Sequence, residues 1–145
     1  MTDREERTAD HANATILVVE DSDAIRRVVC AMLNQNGYTC LEASDGAEAL
    51  NVLRSRDKIE LVLTDVVMPR MGGDELANHM IREYPSMPIV FMSGYSDNPL
   101  VHAIERTPIF LSKPFTSTAL TTSVRQALER PWPGLSRWCD GQEPQ

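Results

Sequence analysis

In the stretch Leu61-Val62-Leu63-Thr64-Asp65-Val66-Val67-Met68-Pro69, an aliphatic run of strand length ends in one carboxylate, and a proline follows four residues later. Three large aliphatics in succession, without polar alternation, suit a strand covered on both faces, as in the middle of a parallel sheet. Such sheets carry their ligand sites at the carboxyl ends of their strands, and Asp65 stands at one. Taken alone, Asp65 is equally a turn residue that accepts from a nearby N–H. The rest of the chain decides between these readings.

Upstream, Ile16-Leu17-Val18-Val19 is a second unbroken aliphatic run, and it too ends in acid, at Glu20-Asp21. Ser22 is placed to cap the next helix. In that helix Ile25, Val28, Val29, Met32 and Leu33 recur at i, i+3, i+4, i+7 and i+8, which predicts one buried apolar face. Gly37 is placed to end it in a left-handed conformation. Tyr38 to Ala43 reads as a strand and Ser44 as the cap of a helix running to about Arg56. Downstream of the Asp65 strand, Gly73 or Asp74 opens a helix that buries Leu76, Met80 and Ile81, and Pro85 and Pro88 bracket its end. Ile89 to Met92 is a fourth strand, stopped at Ser93-Gly94, and Leu100 to Glu105 reads as a short helix. Ile109-Phe110-Leu111 is a fifth strand, ending at Ser112-Lys113-Pro114-Phe115, and a helix from about Ser117 to Glu129 follows. Five strand–helix units in succession predict an α/β fold with a parallel sheet.

The 145 residues fit one domain: a polar arm at 1–14 read as disordered, a folded part at 15–130, and a tail at 131–145 carrying Trp132 and Trp138 but no output domain. The net charge of −7 argues against a direct nucleic-acid binder. Cys30, Cys40 and Cys139 show no metal spacing, and reduced thiols fit a cytoplasmic protein, with Cys30 and Cys40 as small buried hydrophobes. The N-terminus reads as no signal peptide, and no apolar run nears the ~20 residues needed to span a bilayer.

Four of the five strands end in a polar group: Glu20 and Asp21, Asp65, Ser93, and Lys113. A parallel sheet brings these ends to one edge. Three converging carboxylates repel one another unless a cation joins them. Oxygen ligands without His or Cys point to Mg²⁺, with Mn²⁺ as a substitute. Lys113 adds a point charge suited to a phosphoryl oxygen, and Ser93 a hydroxyl donor. The set surrounds a phosphoryl-like group in line with Asp65 as the nucleophile, giving an aspartyl phosphate.

On Ile16-Leu17-Val18-Val19-Glu20-Asp21, Leu63-Thr64-Asp65-Val66-Val67-Met68-Pro69, Met92-Ser93-Gly94 and Ser112-Lys113-Pro114-Phe115, the chain resembles the receiver domains of two-component response regulators. The spacing is also similar to theirs: 44 residues from Asp21 to Asp65, 28 on to Ser93 and 20 on to Lys113. The resemblance implies a doubly wound, flavodoxin-like five-stranded sheet of order 2-1-3-4-5; that order comes with the resemblance, as in chemotaxis receivers of this fold, and not from the residues themselves. It implies a phosphoacceptor switch, which assists its own Mg²⁺-dependent phosphorylation and dephosphorylation rather than acting as a true enzyme. Asp65 takes a phosphoryl group from a sensor histidine kinase or histidine phosphotransfer protein, and the phosphorylated form signals to a downstream protein.

By the same resemblance, Asp21, Asp65 and the backbone carbonyl of Val67 bind Mg²⁺, Glu20 acts through water, the Lys113–Pro114 bond is cis, and Ser93 and Phe110 carry the switch. Receivers of hybrid sensor kinases are the more similar ones. The segment from Ser93 to Lys113 is slightly short for the family, which implies a monomer or weak dimer. A haloacid-dehalogenase-type phosphatase would want a second acid where Val67 stands, and a nucleotide binder would not place acids in its first turn. The competing reading is a pseudo-receiver, an interaction module that is never phosphorylated.

Overall fold

In the computed structural model the described residues are 13–55, 58–94 and 110–129, with Phe110 described by its backbone only. The elements run β1 (Thr15–Val19), α1 (Asp23–Gln35), β2 (Thr39–Ala43), α2 (Gly46–Ser55), β3 (Ile59–Asp65), α3 (Gly73–Glu83), β4 (Ile89–Ser93), β5 (Phe110–Ser112) and α4 (Ser117–Glu129). All strand pairs are parallel and the order is β2-β1-β3-β4-β5, the doubly wound sheet expected. The expected helix at Leu100–Glu105, Ile109 of the fifth strand and the tail lie outside the described residues, as does most of the arm. Ala14, assigned to that arm, is buried, and its carbonyl accepts from Thr39 N–H at 3.0 Å.

Unalternating strands form here because both faces of the sheet are covered. Leu17, Val19, Val62 and Phe91 pack with α2 and α3 in one layer, while Ile16, Val18, Leu61, Leu63 and Met92 pack with α1 and α4 in the other. Burying each such side chain contributes roughly 1.5–3 kcal/mol before entropy is counted. Between Thr15 and Ile16 the β1–β3 register shifts by one residue, and Glu60, skipped by that shift, accepts from Thr15 N–H at 3.1 Å. Past the bulge, neighbouring strands stay in step to the carboxyl edge.

Helix ends set the loops at that edge. Ser22 caps α1, its hydroxyl accepting from Ile25 N–H at 3.3 Å. Gly37, at φ 94, ends the helix in a Schellman turn, with Gly37 N–H to Asn34 O at 3.1 Å and Tyr38 N–H to Leu33 O at 3.1 Å. The cap of α2 is Asp45 and not Ser44: Asp45 accepts from Glu48 N–H at 2.9 Å, and Glu48 reaches back to Ser44 N–H at 2.6 Å. A carboxylate can serve the cap while it is paired elsewhere, which Asp45 does with Arg70. Gly72 caps α3 by its backbone alone.

The apolar stripe of α1 is wider than the face it buries. Val29, Cys30 and Leu33 meet the sheet, but Ile25 and Val28 are 40% and 53% exposed. Arg26, between them, pairs with Glu42 of β2 at 2.8 Å, so the helix lies over the sheet here while these two side chains stay open to solvent.

Gly73 is required for closeness. Its N–H donates to Val66 O at 2.8 Å, and a Cβ there would overlap the Asp65 carbonyl oxygen. Gly73→Ala is expected to lower the unfolding free energy by about 1–3 kcal/mol, read from the urea midpoint; wild-type stability would show that the loop has room it is not seen to have.

Candidate functional site

The carboxyl ends of β1, β3 and β5 and the start of α1 meet at one edge. Glu20 and Asp21 follow β1, Asp65 ends β3 and Lys113 follows β5. One carboxylate oxygen from each of Glu20, Asp21 and Asp65 lies within 4.8 Å of the others. Glu20 is 1% exposed and Asp65 9%, whereas Asp21 is open to solvent. Lys113 Nζ donates to Glu20 Oε1 at 2.7 Å and to Asp65 Oδ2 at 3.3 Å. The second oxygen of Glu20 accepts from Ser22 N–H at 3.0 Å, and Asp65 Oδ1 from Val66 N–H at 2.8 Å.

Burial pushes the Asp65 carboxyl up to about 6; Lys113 lowers it and Glu20 raises it, each by less. Burial also works against the Lys113 charge, but Glu20 and Asp65 outweigh it and hold the amine above its ordinary value. Among the described residues Lys113 pairs with Glu20 and Asp65, and with Asp21 beside them the three carboxylates keep a two-charge excess over that ammonium. A divalent hard cation on oxygen ligands would neutralise that excess, and the donor set, free of His and Cys, fits one.

Ser93 is buried at the end of β4, one residue beyond Met92, which pairs with Asp65, and its carbonyl accepts from Lys113 N–H at 2.8 Å. Lys113 therefore leaves β5 fixed to the next strand. The Lys113–Pro114 bond is cis. Val67 lies two residues past Asp65 with its side chain 46% exposed. Phe110 pairs with Phe91 by backbone register, and its side chain is outside the described residues.

Beside the acids opens a cleft of about 850 Å³. Glu20, Asp21, Asp65 and Lys113 line one part, and Ile25, Val28, Met32, Val67 and Phe115 line the apolar part. The solvent-facing side of α1, with Ile25, Val28 and Met32, is a wall of this cleft, and a sequence pattern that reads as core conceals it.

Two supports are also hidden in the sequence. Arg26 donates to the Glu20 carbonyl at 2.7 Å, to Glu42 at 2.8 Å and to Asp23 at 2.6 Å, tying the acidic turn to α1 and β2. Nothing in the sequence separates Arg26 from its neighbour Arg27. Asp45, 1% exposed, pairs with Arg70 through Nε at 2.7 Å and through a second guanidinium nitrogen. Glu48 N–H and then Arg70 outweigh burial and hold Asp45 below the usual carboxylate value. With Gly46 N–H on Met71 O at 2.9 Å, this pair fastens the loop after β3 to the turn after β2. Arg70 holds φ 67, uncommon for a residue with a Cβ.

Comparison with known proteins agrees with this arrangement. The family model described as the response regulator receiver domain matches residues 16–125. Sensor kinase CckA of Brucella abortus is 35% identical over 129 residues, 87% of this chain and 14% of that protein. Transcriptional regulatory protein GlrR of Escherichia coli is 31% identical over 131 residues, 88% of this chain and 29% of that protein. The chain therefore spans less than a third of either curated relative. The signal receiver domain of an HD domain-containing protein from Pseudomonas fluorescens superposes with a TM-score of 0.73 at 32% identity, over 81% of this chain and 95% of that one. On sequence, topology and site together, the chain belongs to the family of response regulator receiver domains.

Proposed function

We propose that Asp65 accepts a phosphoryl group from a phosphohistidine on a sensor histidine kinase or phosphotransfer protein, and that the phosphorylated chain binds a downstream protein differently. The observation that supports this most is a buried strand-end carboxylate 3.3 Å from one ammonium and grouped with two further acids. In the transfer, a carboxylate oxygen of Asp65 attacks phosphorus, the phosphorus–nitrogen bond breaks and the donor imidazole leaves. Val66 N–H orients the carboxylate. Lys113 meets charge gathering on the phosphoryl oxygens.

Asp21, Asp65 and the Val67 carbonyl would hold Mg²⁺, with Glu20 acting through water and Mn²⁺ able to substitute. Bound there, the cation neutralises the acids and the incoming phosphoryl oxygens. Phosphorylation adds roughly −1.5 to −2 charges at a buried edge and biases an equilibrium between two states of the domain. Ser93 and Phe110 are the proposed carriers of that bias. In this reading residues 15–130 form the receiver, which acts through partners in the cytoplasm as a monomer or weak dimer.

The donor imidazole has to reach Asp65 through the cleft, so the protein that carries it covers Ile25 and Val28. Their exposure gives that partner an apolar seat, whereas a small donor such as acetyl phosphate needs none.

Three outcomes are expected. In Mg²⁺ with acetyl phosphate, intact mass should rise by one phosphoryl group in wild type and not in Asp65→Asn; equal phosphorylation of the variant would refute the assignment. With both proteins unmodified despite an intact fold, and after trial of a phosphorylated kinase, the pseudo-receiver reading would take its place.

Mg²⁺ competes with the proton on Asp65, whose pKa is raised chiefly by burial and set between Lys113 and Glu20. Affinity measured by calorimetry should weaken about tenfold per pH unit below about 6 and level off above it. Without metal the sign for stability is opposite. The fold favours the protonated acid, so this group's contribution is full below about pH 4 and lost as pH rises through about 6. A pH-independent affinity from pH 5 to 8 would contradict the buried-acid account.

Val28→Glu should slow transfer from a phosphorylated protein donor about tenfold or more, through a charge placed in an apolar contact, and leave acetyl phosphate labelling unchanged. Equal slowing of both would mean that the residue serves the site and not the partner.

A further inference from the structure

The interface between α1 and β2 holds a feature that the phosphoacceptor reading does not use. Helix α1 runs back along the sheet against β2, and the two are joined at successive rungs. Arg26 meets Glu42 at 2.8 Å. One helical turn later Cys30 meets Cys40, whose sulfur lies 3.7 Å from the Cys30 carbonyl. Four residues of helix rise about 6 Å and two residues of strand about 6.5 Å, so one rung sets the next in register. Glu42 and Cys40, two apart on a strand, also point to the same face. The Cys40 thiol donates toward that carbonyl, and both thiols are free. Cys30 is 5% exposed, and Cys40, on the edge strand, is partly open to solvent. Neither lines the acidic cleft.

We propose that Cys30 and Cys40 form a dithiol modification site, which a small disulfide of the glutathione type oxidises to an intrachain disulfide joining α1 to β2. The exposures order the steps. Cys40, the reachable sulfur, loses its proton to solvent and attacks the oxidant's disulfide. One glutathione leaves as thiolate and takes a proton, and the other stays bound to Cys40. Cys30 then loses its proton, attacks the Cys40 sulfur and expels the second glutathione. Two electrons and two hydrogens pass from the protein dithiol to one glutathione disulfide.

Cys139 lies outside the described residues, so the test uses the full chain carrying Cys139→Ser. The folded protein is exposed to a graded excess of glutathione disulfide at mildly alkaline pH, quenched in acid, and read by intact mass and by peptide mapping. Chymotrypsin cuts after Tyr38, between the two cysteines. The expected product has lost two hydrogens, and its peptides on either side of Tyr38 stay joined until dithiothreitol releases them. Adding Cys30→Ser should stop the reaction at a glutathione adduct on Cys40. An adduct that persists on Cys40 while Cys30 stays free would overturn the proposal. So would thiols that survive the oxidant, or a cross-link that forms only after unfolding in urea.

Discussion

The structure depends on a local electrostatic conflict at the carboxyl edge of the sheet. Glu20 and Asp65 are withdrawn from water while, among the described residues, one ammonium, that of Lys113, is shared between them. Buried charge without full pairing costs several kcal/mol per ion, and the raised pKa of Asp65 is the visible part of that cost. The chain meets the rest of it with backbone donors. Ser22 N–H serves Glu20 and Val66 N–H serves Asp65, so every buried carboxylate oxygen of the pair has a partner. An arrangement that stable proteins usually avoid is thereby held in place.

Rigid framing makes this tolerable. Each loop that carries a site residue is tied to the neighbouring turn and does not rest on its own chain alone. Arg26 grips the Glu20 carbonyl from within α1, Arg70 and Met71 lock the loop after β3 onto Asp45 and Gly46, and Lys113 N–H is bound to Ser93. Glycine matters at Gly73, where the helix start presses against the backbone of Asp65. Placement to within a fraction of an ångström comes from such ties, since a strand end by itself only determines on which edge a side chain emerges.

Much of this is legible in the residues alone. Unalternating aliphatic runs at Ile16–Val19, Leu61–Leu63 and Ile89–Met92 state that both sheet faces are covered, and acids at two of their ends state where a site would be. Period and position are strong signals because they follow from backbone geometry. Pairings between distant side chains do not. Arg26 with Glu42, and Asp45 with Arg70, leave no trace in local spacing, and nothing local favours Asp45 over Ser44, because both residue types cap helices equally well. The α1 stripe misleads for a related reason. Amphipathic pattern reports that a face avoids water, and Ile25 and Val28 can be assigned to the core only by assuming that they face the sheet.

The two apolar layers share a sheet but few side chains, since alternate residues of each strand serve opposite faces. Substitutions in layers without common partners combine nearly additively in free energy. A lineage can therefore retune the α2–α3 side, residue by residue, while the α1–α4 side holds its shape. What cannot drift as freely is the row of strand ends, because Glu20, Asp65 and Lys113 bond to one another and to the backbone beside them. The fold is thus modular in its depth and constrained along its rim, and one face can be rewritten at little risk to the acidic edge.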